Sequence, residues 1–475
     1  MSARDSFQLY FGDPDASHVK REDVAQVHAP RDFEVSGALK SHKGSHGNCI
    51  IVGVKGSGKT ALRKNLECDP NALIWNVDAD HSCLSIDPGM VAGRSSRIRN
   101  VIALHLLREF ADQVADQSTR DASLTGKVLG KLRKAGSAGL DILKNVPSAV
   151  RVSAGVEVDL EPLFKPAAAK FVQAAWQEAC DATVDALGGR RAYIMIDDAE
   201  DVFPGMERNP AYIEGIARAV VDINERASAG LHVLLFLKYG VWRYWFEHQT
   251  EYDKAKPYIQ HISWRGADEL AALIARRVAS KHDVKYEDGA VEELWRRDFA
   301  WTAEFRTFYG EVASYCTSGP RDMIDLLNRA KLKAGKQRVT LEHVHDVLKS
   351  FSEEKLFGLN ADFGDVYPEV GKLVEIVFRG AVAIRAGKEI ADTIEERVLM
   401  DKGVSEALGL HDWFRLTTKE RLLQVMYDVG VVGRVAPAGG TIYAIESPQE
   451  PASSLRESRL EVHRAFRPYL GVVGP

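Results

Sequence analysis

Short, largely apolar runs recur along the first half of the chain, and each is followed by a stretch in which apolar positions return every three or four residues. The runs are Cys49 to Val52, Ala72 to Val77, Tyr193 to Ile196 and Leu231 to Leu237, with Tyr258 to Trp264 closing the set. Unbroken apolar runs bounded by turn residues or charge are the pattern of strands covered on both faces, and the 3.6-residue pattern between them is that of helices. Strands alternating with helices predict a parallel α/β sheet, with ligands at the C-terminal ends of its strands.

Two regions break that alternation. About 100 residues separate the second run from the third, too many for one crossover helix. Residues 91–190 therefore read as a helical insertion. It opens with an amphipathic helix through Ile98, Val101, Leu104, Leu107 and Phe110 and closes with another through Phe171, Ala174, Trp176 and Val184. After Leu356 the pattern changes again. Helical spacing recurs at Val370, Leu373 and Val374, at Ile390, Ile394 and Val398, and from Thr417 to Met426, where a threonine offers an N-cap. Val431 to Val435 and Thr441 to Ile445 then flank a Gly and Pro turn as a hairpin. Helices followed by a hairpin resemble a winged helix.

The chemistry sits at the strand ends. Gly53, Val54, Lys55, Gly56, Ser57, Gly58, Lys59 and Thr60 fit GxxxxGK[ST], between an apolar strand and a helix that carries Ala61. Glycines let consecutive N–H groups turn inward around phosphates, and the helix offers its positive end to the same anion. Lys59 is expected to reach the β and γ phosphates, and the Thr60 hydroxyl to coordinate Mg²⁺. Such a loop requires an acidic strand, and Tyr193 to Ile196 delivers Asp197 and Asp198. Asp197 reads as the Mg²⁺ partner and Asp198 as the group that orients or deprotonates the attacking water. A shorter Asp in place of Glu predicts slow turnover. Glu200 and Asp201 are alternative bases or, in the favoured reading, cap and solvate the next loop. Lys238, at the end of the fourth run, reads as a γ-phosphate sensor or as a solvated strand-end lysine. Arg243 is a candidate finger for a neighbouring subunit.

These motifs resemble the AAA+ and STAND branches of the P-loop ATPases. Gly53 to Thr60 matches Walker A, Ile194 to Asp198 the double-Asp Walker B, and Leu234 to Lys238 the sensor strand. The segment from Ile262 through Arg277 looks like the start of a helical lid. Ser318 to Leu327, with GPRD at its head, looks like sensor two, which makes Arg321 a γ-phosphate contact; its alternative is an arginine paired with Asp322 or Asp325. Pro320 suits a first helical turn. With Tyr10 to Ala16 and Val462 to Phe466, the likeness narrows to a bacterial family of orphan P-loop ATPases. It implies ATP and Mg²⁺ as cofactors, a homo-oligomer, and a setting in antiphage or mobile-element conflict. The expected domains are an N-terminal segment (1–46) packed on the core, the ATPase core (47–265), the lid (266–355), a winged-helix-like domain (356–450) and a tail (451–475).

Composition adjusts this picture in three places. The chain has 475 residues, enough for roughly three domains, and its net charge of −5 supplies no general attraction for polyanions. The exception is residues 120–151, where seven basic residues face two acidic ones; this arm, with the winged helix, is the expected contact for nucleic acid or an effector protein. On a DNA-reading winged helix, Arg415, Lys419, Arg421 and Arg434 would meet phosphates. Five scattered cysteines predict reduced thiols, and Cys68, His81 and Cys83 lack a fourth zinc ligand. No run is long enough to span a membrane and no signal-peptide core opens the chain, so a cytoplasmic protein is expected. The sequence thus reads as an ATP-hydrolysing switch, with a DNA-binding regulator in which ATP is structural as the alternative.

Overall fold

The structure is a computed structural model, and it describes residues 11, 48–77, 95–117, 166–227, 230–248, 252–262, 264, 266–317, 319–415, 417–447 and 450–474. The chain divides into two compact units, one of residues 30–53 and 62–262, the other of 1–29, 54–61 and 263–475.

The first unit is built on a five-stranded parallel sheet. Its strands are β1 (Ile50–Gly53), β2 (Ala72–Val77), β3 (Arg191–Ile196), β4 (Leu231–Lys238) and β5 (Ile259–His261), in the spatial order β2-β3-β4-β1-β5. The apolar runs are central because both their faces are covered: Ile50, Ile51, Val52, Ile194, Met195, Ile196, Leu235 and Leu237 are all fully buried. Gly53 lies beside Lys238, and Ile196 beside Leu235. The fifth run yields only three strand residues, and Trp264 lies beyond it.

Helix α1 (Lys59–Leu66) follows β1; α2 (Ser95–Gln117) and α3 (Pro166–Leu187) lie between β2 and β3, where the two insertion helices were expected. After β3 come the short α4 (Ala199–Val202) and then α5 (Pro210–Ala227), which packs on β4, α2 and α3. Contact between α2 and α5 is close because position 215 is glycine: a Cβ there would sit 2.6 Å from Ile98 Cγ2. Inside this layer the Trp176 indole donates to Asn100 Oδ1 at 3.1 Å. The aromatic α6 (Tyr239–His248) and the single turn α7 (Tyr252–Ala255) lead to β5. The basic arm at 120–151 lies outside the described residues.

The second unit opens with a helical layer: α8 (Ala267–Lys281), α9 (Val291–Asp298), α10 (Phe305–Ala313), α11 (Pro320–Ala334) and α12 (Leu341–Phe363). Leu273, Ile274, Trp295, Phe299, Phe308, Met323, Leu326, Leu327 and Val344 form its core. Thr340 caps α12 with a capping box closed by His343. Phe11, the described residue of the N-terminal segment, is built into this layer: its N–H donates to Asn328 Oδ1 at 2.8 Å, its carbonyl accepts from Arg277 at 2.6 Å, and its ring stacks on Phe299 at 5.2 Å.

Downstream are α13 (Val370–Phe378), β6 (Ile384–Ala386), α14 (Gly387–Ile394) with a π turn over Glu395–Leu399, α15 (Lys402–Leu408), α16 (Asp412–Arg415), α17 (Lys419–Asp428), β7 (Val432–Val435), β8 (Thr441–Ile442), α18 (Ala452–Glu457), β9 (Arg459–Val462) and α19 (Arg467–Leu470). Helices and hairpin appear in the expected order, and Thr418 caps α17 by accepting from Arg421 N at 3.2 Å. Two boundaries differ from expectation. Helix α12 runs unbroken through 355 and 356, so no domain edge falls there. The segment 451–475 is not a tail, because β9 enters an antiparallel sheet of order β6-β9-β7-β8, between the first strand and the hairpin.

Candidate functional site

Val54 follows Gly53 out of β1 into a tight loop. Gly56 (φ 83°) and Gly58 (φ 105°) both take left-handed backbone, which a Cβ would disfavour. Between them Ser57 is 1% exposed, and its hydroxyl has no hydrogen-bond partner among the described residues. Leaving such a group unsatisfied costs about 1–3 kcal/mol. A phosphate oxygen in the loop would satisfy it, and Lys59 and Thr60 stand in the first turn of the helix that follows. The residues present therefore fit a nucleotide phosphate. Lys59 Nζ donates to the loop's own Val54 carbonyl at 3.2 Å, as does Ser57 N at 3.2 Å.

The outward side of this loop is held by the helical layer of the same unit. Trp264 Nε1 donates to the Ser57 carbonyl at 2.9 Å, and Arg321 N donates to the Gly56 carbonyl at 3.4 Å. Arg321 occupies the first turn of α11, behind Pro320 and the N-cap Gly319, as the motif predicts. The two acids weighed as its partners are held by other groups: Asp322, fully buried, accepts from Thr317 N at 2.8 Å and pairs with Lys355, while Asp325 pairs with Arg329 at 3.1 Å. About two turns beyond Lys355 on the same helix, Asp362 adds a half-buried acid. Burial raises its carboxyl to about 6, against the pull of Lys355, Lys55 and Lys59. An acid near the loop's lysines was not read from the sequence, where it lies 303 positions from Lys59.

At the end of β3, Asp197 Oδ2 accepts from Arg63 Nε at 3.1 Å, and the same guanidinium holds Glu67 at 2.9 Å. Glu67 also accepts from Asn76 at 2.8 Å, so α1, β2 and β3 share one polar network. Arg63 and Glu67 are four apart on α1 and legible as a pair. The link to Asp197 spans 134 positions and carries no local signal. Asp198 is exposed and left-handed, at φ 48° and ψ 54°. That conformation is uncommon for a residue with a Cβ and holds the carboxylate at the turn between β3 and α4. Its N–H donates to Asp197 Oδ1 at 3.2 Å.

The structure corrects three neighbouring readings. Glu200 does not solvate the loop: its side chain is 9% exposed and pairs with Lys238, and burial raises its carboxyl above the usual range despite that lysine. The same contact means that Lys238 is not a solvated strand-end lysine. Arg243 is not a surface finger; it is 5% exposed and pairs with Glu247 at 3.1 Å.

The proposed DNA-facing residues are also engaged by their own chain. Lys419 pairs with Asp392 at 3.2 Å and Glu395 at 2.5 Å, Arg434 pairs with Glu450 at 3.3 Å, Arg421 donates to the Tyr367 hydroxyl at 3.3 Å, and Arg415 to the Gly409 carbonyl at 3.4 Å. Helix α18 packs on α14 and α17, with Arg456 reaching Glu420 at 3.5 Å. Cys68 is a free thiol, and His81 and Cys83 lie outside the described residues, among which no group of side chains could hold a metal on its own. No described helix is long and apolar enough to cross a membrane.

No family model matches the chain, and no curated protein does. Among solved structures, a Walker-type ATPase of Pyrococcus abyssi is similar at 11% identity with a TM-score of 0.43, over 94% of this chain and 98% of that one.

Proposed function

We propose that the chain is an Mg²⁺-dependent ATP-binding and hydrolysing switch. The observation that carries this reading is the loop after β1: two left-handed glycines around a buried, unsatisfied Ser57 hydroxyl, opening directly into α1. Residues 53–61 cradle the phosphates through backbone N–H groups, and Lys59 lays its charge on them. Thr60 and Asp197 hold Mg²⁺, which when bound neutralises charge developing on the transferred phosphoryl group. Asp198 orients water and accepts its proton at the carboxylate. Arg321 reports the γ-phosphate to α11, and Lys238, paired with Glu200 beside the acidic strand end, is the second γ-phosphate sensor. Turnover is slow, because Asp198 is short and Arg63 competes for Asp197.

Lys59→Ala is expected to abolish ATP binding by calorimetry; retained affinity would overturn the assignment. The resemblance extends the reading to a homo-oligomer that acts in antiphage or mobile-element conflict, which light scattering with and without ATP addresses. The alternative, a DNA-binding regulator with structural ATP, is disfavoured by the ion pairs that occupy Lys419 and Arg434. Salt-sensitive DNA affinity without phosphate release would restore it.

A further inference from the structure

Trp264 lies in the segment that resembles the start of a helical lid and has no nucleotide role of its own in the proposed reading, yet it touches both parts of the helical unit that handle nucleotide there. Its indole N–H donates to the Ser57 carbonyl at 2.9 Å. Its ring lies against Gly319, the residue that starts α11, so closely that a Cβ at 319 would fall 2.5 Å from Trp264 Cδ1 and 3.0 Å from Cγ. Gly319 has φ 91°, so both its backbone and its contact exclude a side chain. Two positions further on, Arg321 N donates to the Gly56 carbonyl.

We propose that Trp264 is the positioning residue that couples the phosphate loop to α11, holding the Ser57–Gly58 peptide in its anion-binding orientation only while Gly319 backs the ring. The argument is geometric. In a trans peptide the C=O and N–H point in opposite directions. Fixing the Ser57 carbonyl on the indole therefore turns the Gly58 N–H away from Trp264, toward the inside of the loop. Gly58 at φ 105° is free to follow whichever way that peptide is set, so the orientation needs an external hold. The indole supplies it. A rotation of α11 that moves Gly319 must shift the ring, and the ring cannot shift without releasing the carbonyl. Coupling of this kind is reciprocal: phosphate that locks the peptide also favours the α11 position that backs the ring.

This inference rests on the nucleotide reading, and one experiment separates the two. ATP binding is measured by calorimetry on the full chain for the parent, Trp264→Phe, Gly319→Ala and the double variant, with thermal melts alongside. Trp264→Phe keeps an aromatic ring against Gly319 and removes only the donor. It is expected to weaken ATP affinity about tenfold, a factor typical of one hydrogen bond, with the melting temperature nearly unchanged. In steady state KM for ATP should rise while kcat holds, because the peptide binds ground and transition states alike. Gly319→Ala should weaken ATP similarly, and the double variant should bind no worse than the poorer single one, since both act through the same contact. Unchanged affinity in Trp264→Phe, or losses that simply add in the double variant, would overturn the inference while leaving the nucleotide reading intact. A parent that binds no ATP would overturn both.

Discussion

Asp362 shows how a single residue sets a pH response. Loss of solvent raises its half-buried carboxyl to about 6 from an ordinary 3.8. Between those values the folded chain holds a proton that the unfolded chain has lost, so folding stability falls as pH rises through this window and levels off above it. The shift of about two units corresponds to roughly 3 kcal/mol at most. Asp362→Asn removes the titration. The variant should be more stable than the parent at pH 8, by up to that amount, and the two should converge near pH 4. Urea unfolding at both pH values checks this; a parent and variant separated equally at each would show that Asp362 does not titrate in the folded protein. Asp197 and Asp198 were legible because an apolar strand delivered them to its end. Arg63 and Asp362 were not, since what matters about each is a partner from a distant segment, and no spacing encodes that.

Among the elements, α11 and α12 depend on one buried ion pair. Asp322, with no exposed surface, is bound by Thr317 and paired with Lys355 across the two helices. Removing one member of such a pair strands a buried charge and costs about 3–5 kcal/mol. Asp322→Leu should therefore lower the melting temperature strongly, and adding Lys355→Met should recover most of the loss. Failure of the second change to recover stability would mean that the Thr317 hydrogen bonds, not the charge pair, dominate. Strands β1, β3 and β4 could be read because burial on both faces leaves an unbroken apolar run. Strand β9 could not: Arg459 to Val462 is four residues long, alternates charge with apolar side chains, and follows a helix, so its burial on one face looks like a surface turn. The same limit hid the true length of α12, whose apolar stripe continues past the change in composition at Leu356.

For the whole molecule, the position of β9 makes the expected tail an inner strand of a sheet. It pairs with β6 on one side and β7 on the other, with Leu460 and Val462 buried. From the same segment Arg464 reaches Glu311 at 2.9 Å and Tyr469 N donates to Ser352 Oγ at 3.1 Å, tying it to α10 and α12. A chain ending at residue 450 should leave two sheet edges unpaired and aggregate, measurable as loss of the soluble fraction on expression. A soluble, cooperatively melting truncation would show that the sheet closes without it.

That arrangement also dictates an order of assembly during biosynthesis. Strands β6 and β7 emerge from the ribosome well before β9, and Ile384 must wait for Glu461, 77 positions later, to find its partner. Until then the nascent module carries an open gap in the middle of its sheet. Chaperone dependence and slow maturation should therefore concentrate in this part of the protein, even though most of its helices can form as soon as they are made.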